Sequence, residues 1–141
     1  MIQPHEITIG SLLRTNKGEI IRVESISTKR QHRKVGYHTP NDPYHIKYVR
    51  LAQCEGIDLT PEILMANGFE LCDDSNYEFC AYIKSSVVSY IVYVTPLRSK
   101  MSIEIADTGH VIFDWFVYSV SQMQHALRLF GLHELAEIIK V

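Results

Sequence analysis

No CxxC pair, no glycine-rich phosphate loop and no long apolar run occurs in this chain of 141 residues. The three cysteines, Cys54, Cys72 and Cys80, are odd in number and unpaired in spacing. That argues against a disulfide framework or a zinc knuckle, and for reduced thiols in a cytoplasmic protein. GxGxxG, the Walker loop and GxSxG are all missing, so dinucleotide, P-loop and nucleophile-elbow chemistries have no signature here. Polar residues interrupt every apolar stretch before it reaches the ~20 residues that a membrane-spanning helix needs. The opening MIQPHEITIG has neither the basic nor the apolar segment of a secretory leader. The expectation is a cytoplasmic protein without a membrane partner. The seven histidines show no ligand spacing such as HxxxH, and no cysteine pair supports them, so neither a metal nor another cofactor is expected.

What the chain does have is a globular composition, 46% hydrophobic and 21% charged. It is as long as one ordinary domain, or two very small ones sharing a core. The expectation is a single structural unit over 1–141, with a basic sub-part at 5–54 and an acidic one at 57–141. Residues 1–54 carry nine Lys/Arg against four Asp/Glu, a balance of +5. Residues 55–141 carry five against twelve, a balance of −7. Such asymmetry between halves points to an anionic partner. The basic half could equally dock on the acidic half.

The hydrophobic pattern predicts an α+β fold built mostly of antiparallel strands. The first third reads as a small curled, SH3-like or β-barrel-like sheet. It has strands over 11–15, 19–27 and 44–53, and a long polar hairpin loop over 28–43. Thr60 before Pro61 and Glu62 reads as a helix start, and Asn67-Gly68 as its end. A meander of five strands follows over 69–73, 77–84, 89–98, 101–107 and 110–117. The apolar positions Val120, Met123, Leu127 and Phe130 then recur at helical spacing behind a serine cap, Ser119 or Ser121.

The densest concentration of chemistry is the stretch Lys29-Arg30-Gln31-His32-Arg33-Lys34, followed by Tyr37 and His38. It puts four fixed cations in six residues next to an aromatic ring. Cations of this kind neutralise phosphates, and rings stack on bases. Lys47 and Arg50 on the returning strand extend the candidate set to Lys29, Arg30, His32, Arg33, Lys34, Tyr37, His38, Lys47 and Arg50. A solvated hairpin tip has the same composition. Asp114 interrupts the apolar run 111–117, as either a partly buried carboxyl or a charge guarding an edge strand. Tyr82, Tyr90 and Tyr93 are candidates for an exposed, interface-forming sheet face. No catalytic constellation of nucleophile, base and oxyanion donor is legible.

Three segments carry a resemblance. The opening Glu6-Ile7-Thr8-Ile9-Gly10-Ser11-Leu12-Leu13 is the first, and residues 57–64 (IDLTPEIL) with Asn67-Gly68-Phe69-Glu70 are the second. The third is Tyr118-Ser119-Val120-Ser121-Gln122-Met123-Gln124-His125 with Leu129-Phe130-Gly131 and Glu134-Leu135. In this order they resemble a family of small uncharacterised proteins of Bacteroidetes bacteria and their phages and mobile elements. Ser121 stands where that family has His, and His125 where it has Asn. The resemblance implies a shared fold and a bacterial or phage source, and it implies no activity. Two readings remain open at this point. One is a non-enzymatic binding protein whose 29–38 loop contacts nucleic acid, a nucleotide or another phosphate-bearing ligand. The other is a protein-interaction or sequestering module, acting as a homo-oligomer or through the tyrosine-rich sheet.

Overall fold

The computed structural model describes residues 7–27, 33–84 and 87–141. In chain order the elements are β1 (Leu12–Thr15), β2 (Ile20–Arg22), β3 (Ser25–Ile26), β4 (Lys34–Thr39), β5 (Asp42–Arg50), β6 (Cys54–Gly56) and α1 (Pro61–Ala66). There follow β7 (Glu70–Asp73), β8 (Glu78–Ile83), β9 (Tyr90–Thr95), β10 (Lys100–Ile105), β11 (Val111–Phe116), α2 (Val120–Leu129) and α3 (His133–Ile138). Every named sheet is antiparallel, and the class is α+β. The chain divides into two compact units, 1–58 with 119–137, and 59–118 with 138–141.

The first unit holds two sheets of three strands, ordered β2-β1-β6 and β3-β4-β5. Among the described residues they do not close into a barrel, contrary to the barrel-like expectation. The stretch 19–27, expected to be one strand, serves both sheets. Val23 N–H still donates to the Ser11 carbonyl at 2.9 Å, whereas Glu24 N–H donates to the Gly36 carbonyl at 2.8 Å. The chain therefore changes partner between these residues, and β2 ends where β3 begins. Much of the expected 28–43 loop is also strand. β4 occupies Lys34–Thr39 and turns tightly into β5, with Thr39 opposite Asp42. The core gathers Ile7, Leu13, Ile21, Val23, Val35, Tyr37, Leu51 and Cys54, with Val49 packed against it.

Helix α2 belongs to this unit although it lies more than 60 residues away in sequence. Its cap is Ser119, whose hydroxyl accepts from Gln122 N–H at 3.3 Å, and Val120, Met123, Ala126 and Leu127 form its buried face. The one amide on that face, Gln124, is fully buried and fully used. Its Oε1 accepts from Leu12 N–H at 2.9 Å, and its Nε2 donates to the carbonyls of Gly10 at 3.0 Å and Ala136 at 3.1 Å. Gly10 has φ of +91°, and a Cβ there would sit 2.6 Å from the Arg128 guanidinium, so only glycine fits.

The second unit is the five-strand meander, ordered β11-β10-β9-β8-β7, as the hydrophobic pattern predicts. Phe79, Val92, Val94, Met101 and Ile103 share its buried face. Thr60 caps α1 by accepting from Ile63 N–H at 3.3 Å, Pro61 starts the helix, and Gly68 leaves it at φ +87°. Asn67 holds the chain end. Its Nδ2 donates to the Lys140 carbonyl and its Oδ1 accepts from Lys140 N–H, both at 2.7 Å. Among the described residues no helix is long and apolar enough to cross a membrane.

Candidate functional site

The candidate site is the outward face of the β3-β4-β5 sheet. Register decides what lies on it. Val35 stands opposite Val49, and Tyr37 opposite Lys47. Residues opposite one another in an antiparallel pair share a face, and successive residues alternate. Val35, Tyr37 and Val49 therefore point to the core, and the alternate set points outward. That set is Ser25 on β3, Lys34, Gly36 and His38 on β4, and Tyr48 and Arg50 on β5, joined by Ile46, which approaches Gly36 beside Tyr48; the register shifts between Tyr37 and Thr39, so the alternation does not extend to Tyr44.

Two features make this face unusual. At one end Lys34 pairs directly with Arg50. Leu51 N–H donates to the Arg33 carbonyl at 2.8 Å and so continues the pairing past the strand end, which puts Arg33 at the same end of the sheet, in phase with Val35 and not with Lys34. All three side chains are exposed. Leading away from these cations, Tyr48 and Ile46 form an apolar pair that is 60% and 48% exposed, and Tyr44, nearer the turn, is 89% exposed. Gly36 lies beneath the pair. A Cβ there would come within 3.1 Å of the Tyr48 ring, 3.2 Å of Ile46 and 2.2 Å of the Ser25 hydroxyl. Only a residue without a side chain lets Tyr48 and Ile46 lie across β4.

The acids near the face are already engaged. Glu24 pairs with His38 through Nδ1, and Asp42 Oδ1 lies 2.8 Å from His45 Nδ1. Beside the cations, Ile7, Ile26, Ser27, Arg33, Lys34, Val35 and Leu51 line a recess of about 200 Å³.

Of the residues singled out in the sequence, the fold brings Lys34 and Arg50 together with His38 on one face, and Arg33 to the same sheet end. Lys29, Arg30 and His32 lie outside the described residues. Lys47 is exposed on the opposite face, across from Tyr37. Tyr37 is 8% exposed within the core, so its ring packs instead of presenting a surface. Burial, with lesser contributions from Glu19 and Cys54, pushes its phenol above the ordinary range. Arg22 projects to neither set, since its Nη1 donates to the Gly10 carbonyl at 3.0 Å.

The tyrosines expected to form one sheet face are split by register. Tyr82 and Tyr93 share a face, whereas Tyr90, opposite Ile83, takes the other. Asp114 is exposed on the edge strand β11, which matches the guarding charge and not a buried carboxyl. Cys54 is buried as a small core side chain, but Cys72 is exposed and Cys80 half-buried. Among the described residues no group of three or more His, Cys, Asp or Glu side chains converges to hold a metal ion.

Sequence reasoning took Tyr44, Ile46 and Tyr48 only as apolar positions of the expected strand over 44–53 and did not single them out as surface residues. The signal that could have found them is Gly36. It is the one residue of β4 with no side chain to bury, and it is in phase with Tyr48. Compared with protein-family models, curated proteins and solved structures, the chain matches none of them.

Proposed function

We propose that this is a non-enzymatic nucleic-acid-binding protein that contacts phosphates through the cationic end of the β4–β5 hairpin. The observation that carries the reading is the direct pairing of Lys34 with Arg50, extended by Arg33 on the bonded backbone. Three exposed cations at one sheet end suit a run of phosphates, and fixing them on paired strands lowers the ordering cost of binding. The nearby acids Glu24 and Asp42 are each bonded to a histidine, His38 and His45. The resemblance to small Bacteroidetes and phage proteins implies no activity and leaves this reading unchanged.

Fluorescence anisotropy of labelled DNA and RNA oligonucleotides tests it. Binding is expected at low salt and is expected to fall steeply as salt rises. Lys34→Ala with Arg50→Ala is expected to weaken every sequence alike, because phosphate contacts carry no base information. No binding at low salt, or binding indifferent to the double substitution, overturns the proposal.

A further inference from the structure

From the same face we infer that the ligand is a single strand, whose bases stack on Tyr44 and Tyr48 while its backbone runs to Lys34, Arg50 and Arg33. This rests on the nucleic-acid reading above and narrows it to one class of ligand. Cations alone would serve a duplex equally well. The exposed rings would not, because bases in a duplex are already stacked on one another and offer no open face.

The geometry favours unpaired bases at three points. Tyr48 and Ile46 lie on one side of β5, both over Gly36, and Tyr44, four residues from Tyr48, is exposed toward the hairpin turn, past a register shift. Tyr48 offers a ring to one base with Ile46 giving apolar contact beside it, and the exposed Tyr44 offers a second ring nearer the turn. The rings are held on a sheet, not on a loop, and Gly36 lets the Tyr48 ring settle over the neighbouring strand. The Tyr48 ring also lies on the face of the Lys34–Arg50 pair, so a strand whose phosphates meet the cations is led to it.

An exposed apolar surface is a standing cost in water unless something covers it. Three other occupants compete: a protein partner, a second copy of this chain and a membrane surface. The neighbouring cations favour an anionic occupant, and the aromatic rings favour one with flat faces. A single-stranded nucleic acid has both.

The test compares single-stranded DNA, single-stranded RNA and duplexes of equal length, against the full chain and against Tyr44→Ala, Tyr48→Ala and the conservative Tyr44→Phe with Tyr48→Phe. Both tyrosines are well exposed, so the substitutions leave the core intact, and circular dichroism checks this. Single strands are expected to bind at least tenfold more tightly than duplexes. Each alanine is expected to weaken them about 5- to 100-fold, the range measured for base–aromatic stacking, with the salt slope unchanged. The phenylalanine variant is expected to bind like the native chain. Quenching of tyrosine fluorescence by the bound strand is expected and should disappear in the double alanine variant.

Equal binding of single strand and duplex, with the alanine variants like the native chain and only Lys34→Ala/Arg50→Ala impaired, overturns the stacking inference and leaves the nucleic-acid reading standing. Absence of all nucleic-acid binding overturns both. Concentration-dependent self-association that Tyr44→Ala and Tyr48→Ala abolish, with no single-strand preference, overturns the inference in favour of an interface between copies.

Discussion

Cys72 shows how little a residue's exposure says about its chemistry. It faces outward from β7, yet its thiol is pushed up to about 12 by desolvation, by the neighbouring Cys80 thiol and by Glu78. Its Sγ donates to the Glu78 carbonyl at 3.4 Å, which suits the protonated form. The thiolate is the reactive species, and at pH 8 a thiol shifted upward holds less of it than an ordinary one. Iodoacetamide labelling followed site by site by mass spectrometry is therefore expected to be far slower at Cys72 than at a free cysteine. The rate should keep rising well above pH 9, where an ordinary thiol levels off. A Cys72 that labels like free cysteine contradicts this. The sign for stability follows from the same shift. The unfolded chain gives up this proton first, so the stabilising contribution is full below the ordinary thiol range and falls as the pH climbs toward 12. Asp73 is shifted the opposite way. Ser75 and Asn76 donate to its carboxylate and hold it below its ordinary range, so its contribution is full at neutral pH and lost in acid.

At the scale of elements, the fold depends on a few bonds between distant segments. Gln124 is the clearest example, since one buried amide satisfies a strand N–H and two loop or helix carbonyls. Gln124→Leu keeps the volume and leaves Leu12 N–H and Ala136 C=O without their partner, while Gly10 C=O keeps only the Arg22 guanidinium. Each buried unsatisfied group costs about 1–3 kcal/mol, so the substitution is expected to cost at least about 2 kcal/mol. Urea unfolding checks this, and a midpoint unchanged from the native chain contradicts it. The elements themselves were unevenly legible. Helix α1 was readable because Thr60, Pro61, Asn67 and Gly68 act locally, through a cap and a positive φ. The meander was readable because its turns are local as well. Strand β4 was not. Its residues Lys34-Val35-Gly36-Tyr37-His38-Thr39 look like loop composition, and only pairing with β3 and β5 makes them a strand.

For the whole molecule, the charge split of the sequence shrinks once the chain is folded. The first unit draws in Glu55, Asp58, Glu134 and Glu137 along with Arg128, so it holds ten Lys/Arg against eight acids, a net of +2. The second holds four against eight, a net of −4. Attraction for a polyanion then depends less on a bulk basic half than on where the cations are gathered. Arg33, Lys34 and Arg50 should release about two counterions' worth of salt dependence, a slope contribution near −2 for a single strand. Lys34→Ala with Arg50→Ala is expected to flatten the plot of log affinity against log salt by about 1.4, measured between about 50 and 200 mM salt. A slope unchanged by the two substitutions contradicts the assignment of phosphates to that end.

The sequence by itself determined the α+β class, the five-strand meander, the caps of α1 and α2 and the concentration of cations around residues 29–34. Each of these rests on interactions within a few residues: turn chemistry, helical spacing, capping hydroxyls and plain composition. Only the tertiary structure decided which side of β5 faces water. The row Tyr44, Ile46 and Tyr48 has the alternation of a buried strand face. The pairing of Val35 with Val49 and of Gly36 with Tyr48 gives the core to the valines and Tyr37, and turns Tyr48, with Ile46 beside it, outward. A strand has two faces of equal period, and a shift of one residue in pairing exchanges them. That choice is made by the partner strand, so it cannot be read from β5 alone.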